Sequence, residues 1–324
     1  MNEKNETTWR DAFFASSGPD TWRKAGVLSL KGLCMGSADV IPGVSGGTIA
    51  LITGIYEDLI QAIRSIDTAM LGKISKLDFK GALAHIHIRF LLSLFAGIGV
   101  AILSLARLMN YLLHQQPVYT WSLFFGLIAA SIFVVGRQIK NWWGITVISF
   151  IAGTATASLI VNLIPVATPE TLWFIFLCGF IAICAMILPG ISGAFILLIL
   201  GKYEFVTATL KNPFVPQNAL IIAVFGIGCI IGLLAFSRVL NYLLQRFHNL
   251  TIAYLTGLMT GSILKIWPWK EILETRIIRG KAHVIWGGNI LPDSIGGEVV
   301  FAAVLAIIGF IAVMVIEGLS SKKT

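Results

Sequence analysis

The sequence predicts an all-α integral membrane protein made of two inverted-topology repeats. Of its 324 residues, 56% are hydrophobic and 12% are charged, whereas soluble domains carry about 25% charged residues. Ten apolar segments follow one another, most of them long enough to cross about 30 Å of hydrocarbon. A glycine-rich polar motif also occurs twice, each time within apolar sequence. Interrupted segments of this kind are typical of the binding sites of membrane transporters.

A polar N-terminus at 1–24 precedes the apolar segments and shows no secretory signal pattern. The net charge of +8 comes from loops and not from a basic domain, so it indicates membrane topology and argues against nucleic-acid binding. The segments are 25–41, 43–63, 88–114, 119–136, 142–163, 171–188, 191–210, 217–246, 250–267 and 299–317.

The glycine-rich motif shows that the chain is duplicated. Pro42–Glu57 and Pro189–Glu204 are identical at ten of sixteen positions, at an offset of 147 residues. Further along, Arg107 matches Arg238 at an offset of 131. The first copy therefore carries a 16-residue insertion, which we place in the loop 64–88.

Each repeat holds five of the ten segments, the first at 25–163 and the second at 171–318. An odd number of segments forces the second repeat to be inverted across the membrane. The first two segments of each repeat should form a re-entrant helical hairpin, because Pro-Gly-x-Ser-Gly cannot continue a helix. Non-helical backbone at membrane depth persists only where protein or a water-filled cavity surrounds it. The two hairpins should therefore enter from opposite faces, with their tips near the midplane.

Basic residues in the loops predict the orientation. The loop 64–88 is rich in lysine and arginine and should be cytoplasmic, whereas 164–170 has neither and should be external. Both termini then lie in the cytoplasm. The loop 265–298 is an exception, since it falls outside with five basic residues that four acidic residues nearly balance. Apolar residues at helical spacing within 64–88 predict an amphipathic helix, either on the inner membrane surface or as a solvated connector.

The duplicated loop has the composition of an anion-binding site. Glycines let successive N–H groups converge on one point, and a serine adds a hydroxyl donor. A helix that begins after the loop adds the positive end of its dipole. The alternative is a close helix crossing that glycine permits. The predicted phosphate-binding residues are Gly43, Ser45, Gly46 and Gly47 in the first copy, and Gly190, Ser192 and Gly193 in the second.

The duplicated arginine is a second candidate, at Arg107 in the first repeat and Arg238 in the second. Guanidinium binds phosphate in bidentate geometry, and a charge within a span usually faces an internal cavity. Because each repeat has an odd number of segments, Arg107 should lie toward the external side and Arg238 toward the cytoplasm. The alternative is a side chain that extends to the membrane surface. The supporting polar residues on the same helix faces are Asn110, Tyr111, Asn241 and Tyr242.

Three carboxylates are candidates for coupling or gating. Glu57 and Glu204 follow the loops at equivalent positions, where each could pair with an arginine, bind a cation or mark a helix end. Asp39 has no counterpart, because Met186 occupies its position in the second repeat. An unmatched intramembrane aspartate is a candidate site for a coupling ion or proton, and the alternative is a helix cap or a salt bridge.

Enzyme motifs are weak in this sequence. The four cysteines show no CxxC pairing, and the five histidines fall in loops or at segment ends. Gly43–Gly46 is similar to the nucleophile loop of intramembrane serine proteases, which also require a histidine at membrane depth. Two copies of the motif suit a symmetric transporter better than a single nucleophile. We therefore expect a transporter and not an enzyme, with no cofactor and no metal.

The same motif residues resemble the PopT family of bacterial undecaprenyl-phosphate translocases. The resemblance rests on Gly36–Thr48 with Gly54–Glu57 and on Pro189–Gly193 with Gly201–Glu204. It covers nearly the whole chain after about residue 20. It implies that undecaprenyl phosphate returns from the outer to the inner leaflet of the plasma membrane, so that the carrier lipid is recycled for peptidoglycan and other cell-envelope glycans.

A lipid phosphate agrees with the residues, because its head needs a polar anion site and its tail an apolar route. The expected partners are undecaprenyl phosphate, membrane lipids and a coupling ion, H⁺ or Na⁺. The alternatives are a secondary transporter of a small anion and, less favoured, an enzyme that acts on a lipid phosphate. Ala194 stands where the first copy has Gly47, so the second loop should be less open.

Overall fold

The computed structural model describes residues 8–39, 45–163, 166, 168–278, 281–292, 294 and 296–321, and these are nearly all helical. A short 3-10 helix, Ile263–Ile266, follows α14, and two strands, β1 (Lys270–Ile278) and β2 (Lys281–Asn289), precede α15. The α-helices are α1 (Trp9–Ala15), α2 (Trp22–Asp39), α3 (Gly46–Ile52), α4 (Tyr56–Arg64), α5 (Thr68–Ser75), α6 (Phe79–His85), α7 (Ile88–Gln115), α8 (Pro117–Gly136), α9 (Ile145–Val161), α10 (Leu172–Ile187), α11 (Gly193–Ile199), α12 (Tyr203–Lys211), α13 (Pro216–Arg246), α14 (His248–Ser262) and α15 (Gly297–Ser321).

Four helices of the described chain are long and apolar enough to cross a membrane. They comprise Ile88–Leu105 of α7, Pro117–Gly136, Pro216–Arg246, and Gly297–Gly318 of α15. The apolar helices α9 and α10 are shorter. Large apolar side chains such as Leu103 are exposed on the outer surface, as expected where lipid replaces water. The predicted multi-pass membrane protein is therefore confirmed.

The segments predicted at 43–63 and 191–210 are each broken into two short helices. Gly54 separates α3 from α4, and Gly201 separates α11 from α12, with φ values of 69° and 61°. Glycine adopts such positive φ values without strain, which permits the bend. The helices α11 and α12 meet at 112°, the geometry of a broken span or a re-entrant loop. In both halves the short helix packs back on the long one before it, α3 on α2 and α11 on α10.

The two halves of the chain pack their helices in the same way. In the first half α2 lies against α7, and in the second α10 lies against α13. A Cβ on Gly32 would come within 2.2 Å of the Leu94 carbonyl oxygen, and a Cβ on Gly179 within 2.3 Å of the Phe225 oxygen. The two glycines are 147 residues apart and their partners 131 apart, which are the offsets of the sequence repeat. The sequence repeat is therefore also a repeat of helix packing.

The remaining long helices exchange partners between the halves. Helix α8 packs on α15, and α14 packs on α9. Gly309 lies against the carbonyl oxygen of Leu123, and Gly153 lies in the same way against Tyr254. Leu123 and Tyr254 are 131 residues apart, whereas Gly153 and Gly309 are 156 apart. The second copy is thus 25 residues longer between these helices.

The extra length contains a β-hairpin that the all-α prediction missed. Strands β1 and β2 pair antiparallel. Their sequences are rich in β-branched and aromatic residues, among them Thr275, Ile277, Val284 and Trp286, which favour strands. The prediction is wrong here because it weighed the loop 265–298 by its charges and not by its strand-forming residues.

The insertion in the first copy forms α5 and α6. Each helix begins after an aspartate whose carboxylate accepts a backbone N–H, Asp67 from Met70 at 2.9 Å and Asp78 from Gly81 at 2.8 Å. Such N-caps stabilise helix starts. A helix, α5, lies within the stretch where the sequence predicts an amphipathic helix, and it ends before Leu77, which has a positive φ of 59°. Its amphipathic role stays a prediction.

The main hydrophobic core lies where the two broken segments meet. Tyr56 and Ile60 enter it from α4, Ile187 from the end of α10, Ile191 from the second duplicated loop, and Met259 from α14. Buried apolar side chains from both halves therefore surround the described part of the duplicated loops. This position sets the environment of the predicted anion site.

Candidate functional site

The two duplicated loops contact each other directly. The backbone N–H of Gly190 donates to the Thr48 hydroxyl at 3.0 Å. In the other direction, the Ser45 hydroxyl donates to the Leu188 carbonyl oxygen at 3.1 Å. Thr48 and Ser45 are 0% and 1% exposed, so both bonds are shielded from solvent. We call this pair of cross-repeat bonds the loop clasp.

The clasp occupies the polar groups of the first predicted anion site. The Ser45 hydroxyl accepts the N–H of Gly47 at 3.1 Å and so caps α3. The N–H of Gly46 donates to the Asp39 carboxylate at 2.7 Å. Gly43 lies outside the described residues. The sequence predicts that these donors bind an anion. In this conformation they instead form hydrogen bonds with other groups of the protein.

Asp39 holds the first loop in place. Its carboxylate ends α2 and reaches across the loop to Gly46. A Cβ on Gly46 would come within 2.5 Å of a carboxylate oxygen, so only glycine fits this contact. The geometry corresponds to the cap that the sequence left open as an alternative, and a coupling role for Asp39 stays a prediction.

The second loop is arranged differently. Ser192 occupies the N-cap position of α11, yet its side chain makes no cap hydrogen bond. Ser192 is 7% exposed, and no hydrogen bond joins its hydroxyl to another described residue. Gly190 has a φ of 86°, which favours glycine, and Gly193 lies against the carbonyl of Ala182. Of the two matched serines, Ser45 is engaged and Ser192 leaves its hydroxyl available.

The tyrosines that follow the loops repeat this asymmetry. The Tyr56 hydroxyl donates to the Ile187 carbonyl oxygen at 3.2 Å, and Tyr56 is 2% exposed. Its counterpart Tyr203 is 41% exposed. Equivalent positions of the two repeats therefore have different environments in this conformation.

Arg238 lies in an open pocket of about 320 Å³ at the end of α13. Its guanidinium donates to the carbonyl oxygens of Leu234 at 2.7 Å and Ile66 at 3.3 Å. The predicted neighbours Asn241 and Tyr242 line the same pocket, which also has a basic residue that the sequence reasoning missed, Arg64. The full lining is Arg64, Asp67, Arg238, Asn241, Tyr242 and Gln245.

The first-repeat counterparts are only partly described. Arg107 and Asn110 lie in α7, but their side chains are outside the described part of the structure. Tyr111 follows them and is 62% exposed. The predicted phosphate contact of Arg107 therefore stays a prediction.

The two matched glutamates lie at helix starts. Glu57 is in the first turn of α4 and Glu204 in the first turn of α12, where the helix dipole favours a carboxylate. A Glu57 oxygen is 3.6 Å from Nδ1 of His248, and both side chains are about half exposed. This arrangement agrees with the helix-end alternative for Glu57.

Two lysines that the sequence reasoning missed lie beside the second loop. The Lys265 ammonium is 4.6 Å from the ring centre of Phe195 in α11. The Lys270 ammonium is 5.0 Å from the ring centre of Trp121 in α8 and donates to the carbonyl oxygen of Lys265. Both side chains are half-buried. The signal was the run from Lys265 to Lys270, two lysines around Trp-Pro-Trp at the end of an apolar segment.

No salt bridge neutralises these lysines within the part of the chain that the structure describes. Among the residues whose side chains the structure describes, no aspartate or glutamate forms an ion pair with Lys265 or Lys270. Burial, together with the nearby charge of Lys265, lowers the pKa of Lys270 to about 8. We call Lys265 and Lys270 the lysine pair.

Comparison with known proteins gives one consistent result. A family model described as undecaprenyl phosphate translocase-like matches residues 35–283, which include both loops, Arg238 and the lysine pair. A polyprenyl-phosphate transporter of Vibrio cholerae is 46% identical over 248 residues, 76% of this chain and 79% of that protein. A polyprenyl-phosphate transporter of Staphylococcus aureus is 32% identical over 254 residues, 74% of this chain and 85% of that protein. No solved structure matches the chain.

Proposed function

Because the chain belongs to the undecaprenyl phosphate translocase-like family, we propose that it transports undecaprenyl phosphate from the outer to the inner leaflet of the bacterial plasma membrane. The names of both relatives support the substrate class. Inward movement returns the carrier lipid for peptidoglycan and other cell-envelope glycan synthesis. The protein acts as a transporter and not as an enzyme, and the lipid phosphate leaves chemically unchanged.

The observation that carries this proposal is the loop clasp within the hydrophobic core. The bond from Gly190 to Thr48, which lies in the first turn of α3, joins the two broken segments, one from each repeat, close to where α3 and α11 begin. Transporters built from repeats bind their substrates at such interrupted helices. Broken backbone of this kind persists in a membrane only inside protein or beside a water-filled cavity.

Alternating access follows from the asymmetry of the two halves. Ser45 and Tyr56 are engaged across the repeat interface, whereas Ser192 and Tyr203 are not bound in the matching way. In the proposed cycle the clasp opens and the first loop becomes accessible to the substrate. The donors of Ser45, Gly46 and Gly47 then bind the phosphate. Arg238 takes part in release toward the cytoplasm, and Arg107 in entry.

The topology in the proposal is that of two inverted repeats with both termini in the cytoplasm. The matched glycine contacts of α2 with α7 and of α10 with α13 support a two-fold relation. Each copy contributes five elements, counting each broken segment once, which supports inversion. Basic residues in α5, α6 and their loops support a cytoplasmic position for this insertion.

Reconstituted vesicles test the proposal. Purified protein is incorporated with undecaprenyl phosphate, and the phosphate exposed on each leaflet is measured with a membrane-impermeant reagent. Protein-free vesicles, polyprenol and inorganic phosphate are the controls. We expect faster equilibration of the lipid phosphate alone. Uptake of inorganic phosphate without lipid movement would indicate the small-anion alternative, and a changed lipid product would indicate an enzyme.

A further inference from the structure

Lys265 and Lys270 carry half-buried ammonium groups that pair with no carboxylate among the described residues, so they need another source of stabilisation. Removing a cation from water is costly unless an opposite charge or several acceptors compensate. Phe195 and Trp121 supply weak cation–π attraction to Lys265 and Lys270. The ring contacts leave the N–H donors of Lys265 without a described acceptor, so the lysine pair has the charge and the donors that an anion site requires.

The lysine pair lies beside the second duplicated loop. A Cβ on Gly190 would come within 2.8 Å of the Ser262 hydroxyl oxygen, so the end of α14 touches this loop. Lys265 follows Ser262 by three residues, in the 3-10 helix. The Phe195 ring that the Lys265 ammonium contacts belongs to α11. Phe195 is three residues after Ser192, so the two residues share a helix face. Two independent contacts thus bring Lys265 to the loop whose serine hydroxyl is available.

We propose that Lys265 and Lys270, together with Ser192, bind the phosphate of a polyprenyl phosphate. The inference rests on the proposed function and names the residues that capture its substrate. A phosphate monoester carries up to two negative charges near neutral pH, which matches two ammonium groups. The Ser192 hydroxyl supplies a third donor. A neutral polyprenol offers these cations a hydroxyl acceptor but no negative charge, so it should bind much more weakly.

The same place provides apolar surface for the first isoprene units. The Trp267 ring is 5.5 Å from the ring of Phe125 and 5.8 Å from that of Trp269, in edge-to-face contacts. Trp121 belongs to the same helix as Phe125. A polar head and an apolar tail can therefore be bound side by side, as an amphipathic lipid requires.

The lysine pair exists in one half only, which gives the site a direction. At the offset of 131, the first repeat has Val134 in place of Lys265. The Arg238 pocket includes Gln245, just before α14 begins, whereas Lys265 follows the end of α14. A helix of this length spans about 20 Å, so the two basic sites are at opposite ends of α14. With Arg238 toward the cytoplasm, the lysine pair is the entry site from the outer leaflet.

Binding to the purified full-length protein tests the assignment. The variants are Lys265→Met, Lys270→Met and Ser192→Ala, with Lys265→Arg as the conservative change and Lys211→Met, an exposed lysine of α12, as the matched control. The probes are undecaprenyl phosphate, undecaprenol and inorganic phosphate. We expect either lysine-to-methionine change to weaken binding of undecaprenyl phosphate by about ten- to a hundredfold. Lys265→Arg and Lys211→Met should retain most of it.

Thermal unfolding without ligand separates this role from a structural one. Methionine removes an uncompensated buried charge, so Lys265→Met should unfold at the wild-type temperature or above it. Wild-type affinity in both methionine variants, or an unliganded stability that falls in step with affinity, would overturn the inference while the proposed function stands. If the wild-type protein does not distinguish undecaprenyl phosphate from undecaprenol, the proposed function itself fails.

Discussion

The Thr48 hydroxyl accepts the backbone N–H of Gly190 at 3.0 Å, and this bond joins the two copies of the duplicated loop. Thr48 occupies the repeat position of Phe195, the residue that faces Lys265. One position thus closes the clasp in the first repeat and contacts a cation in the second.

Replacing Thr48 with valine should weaken the clasp. Valine keeps the shape of threonine but removes the acceptor, which leaves the Gly190 N–H buried and unsatisfied. The expected loss in the free energy of unfolding is about 1–3 kcal/mol. Thr48→Ser keeps the hydroxyl and should be less destabilised. Denaturant unfolding of both variants measures the difference, and a Thr48→Val protein as stable as wild type would show that the bond is dispensable.

Replacing Arg238 should impair handling of the phosphate in its pocket. A charge-assisted bond contributes about 1.5–3 kcal/mol, so Arg238→Ala should weaken binding of undecaprenyl phosphate by about ten- to a hundredfold. Lysine lacks the planar fork and should restore part of the loss. Arg246→Ala, in the last turn of the same helix but outside the pocket lining, is the control.

Leaflet-resolved transport extends the arginine experiment to Arg107. Under inverted symmetry Arg107→Ala should slow entry from outside, and Arg238→Ala should slow release inside. Wild-type transport in both variants, with normal folding, would indicate that these arginines only extend to the membrane surface.

Replacing Asp39 should show whether its carboxylate, which accepts the Gly46 N–H, also couples transport to an ion. Asp39→Asn keeps an oxygen that can accept the Gly46 N–H but removes the charge. We expect binding of undecaprenyl phosphate to survive and the dependence of transport on pH or Na⁺ to change. Poor binding with unchanged ion dependence would instead place Asp39 in the scaffold or the substrate site. Transport assays across separate H⁺ and Na⁺ gradients distinguish these results.

The parts of the fold that the sequence predicts are those in which the same residues recur in both repeats. The offsets of 147 and 131 located both broken segments, and they recur in the contacts of Gly32 and Gly179. The clasp was not predictable, because Thr48 and Gly190 are not equivalent positions and their contact depends on the conformation. Lys265 was missed for a related reason, since a search for matched residues passes over a lysine whose counterpart is Val134.

Labelling from one side of the membrane tests the topology. In a cysteine-free background, Ser75→Cys places a thiol at the end of α5, in the insertion before α7, and Glu170→Cys places one between α9 and α10. Both positions are exposed. The inverted repeat predicts that an impermeant reagent outside intact cells labels position 170 and not position 75. Labelling of both from outside would contradict the inversion.

The pKa of Lys270 makes phosphate binding dependent on pH. Burial, with the charge of Lys265, lowers this pKa to about 8, so the unliganded protein loses the Lys270 proton as pH rises through that value. The charged group that faces Lys270 among the described residues is Lys265, and Trp121 on α8 does not titrate.

A phosphate monoester has its second pKa at about 6, so its charge is nearly constant above pH 7. Affinity for undecaprenyl phosphate should therefore fall between about pH 7 and 9 because the lysine loses its charge. Arginine stays protonated in this range, so Lys270→Arg should flatten the decline. Dissociation constants measured across this range for both proteins decide the matter, and identical pH curves would exclude Lys270 as the titrating group.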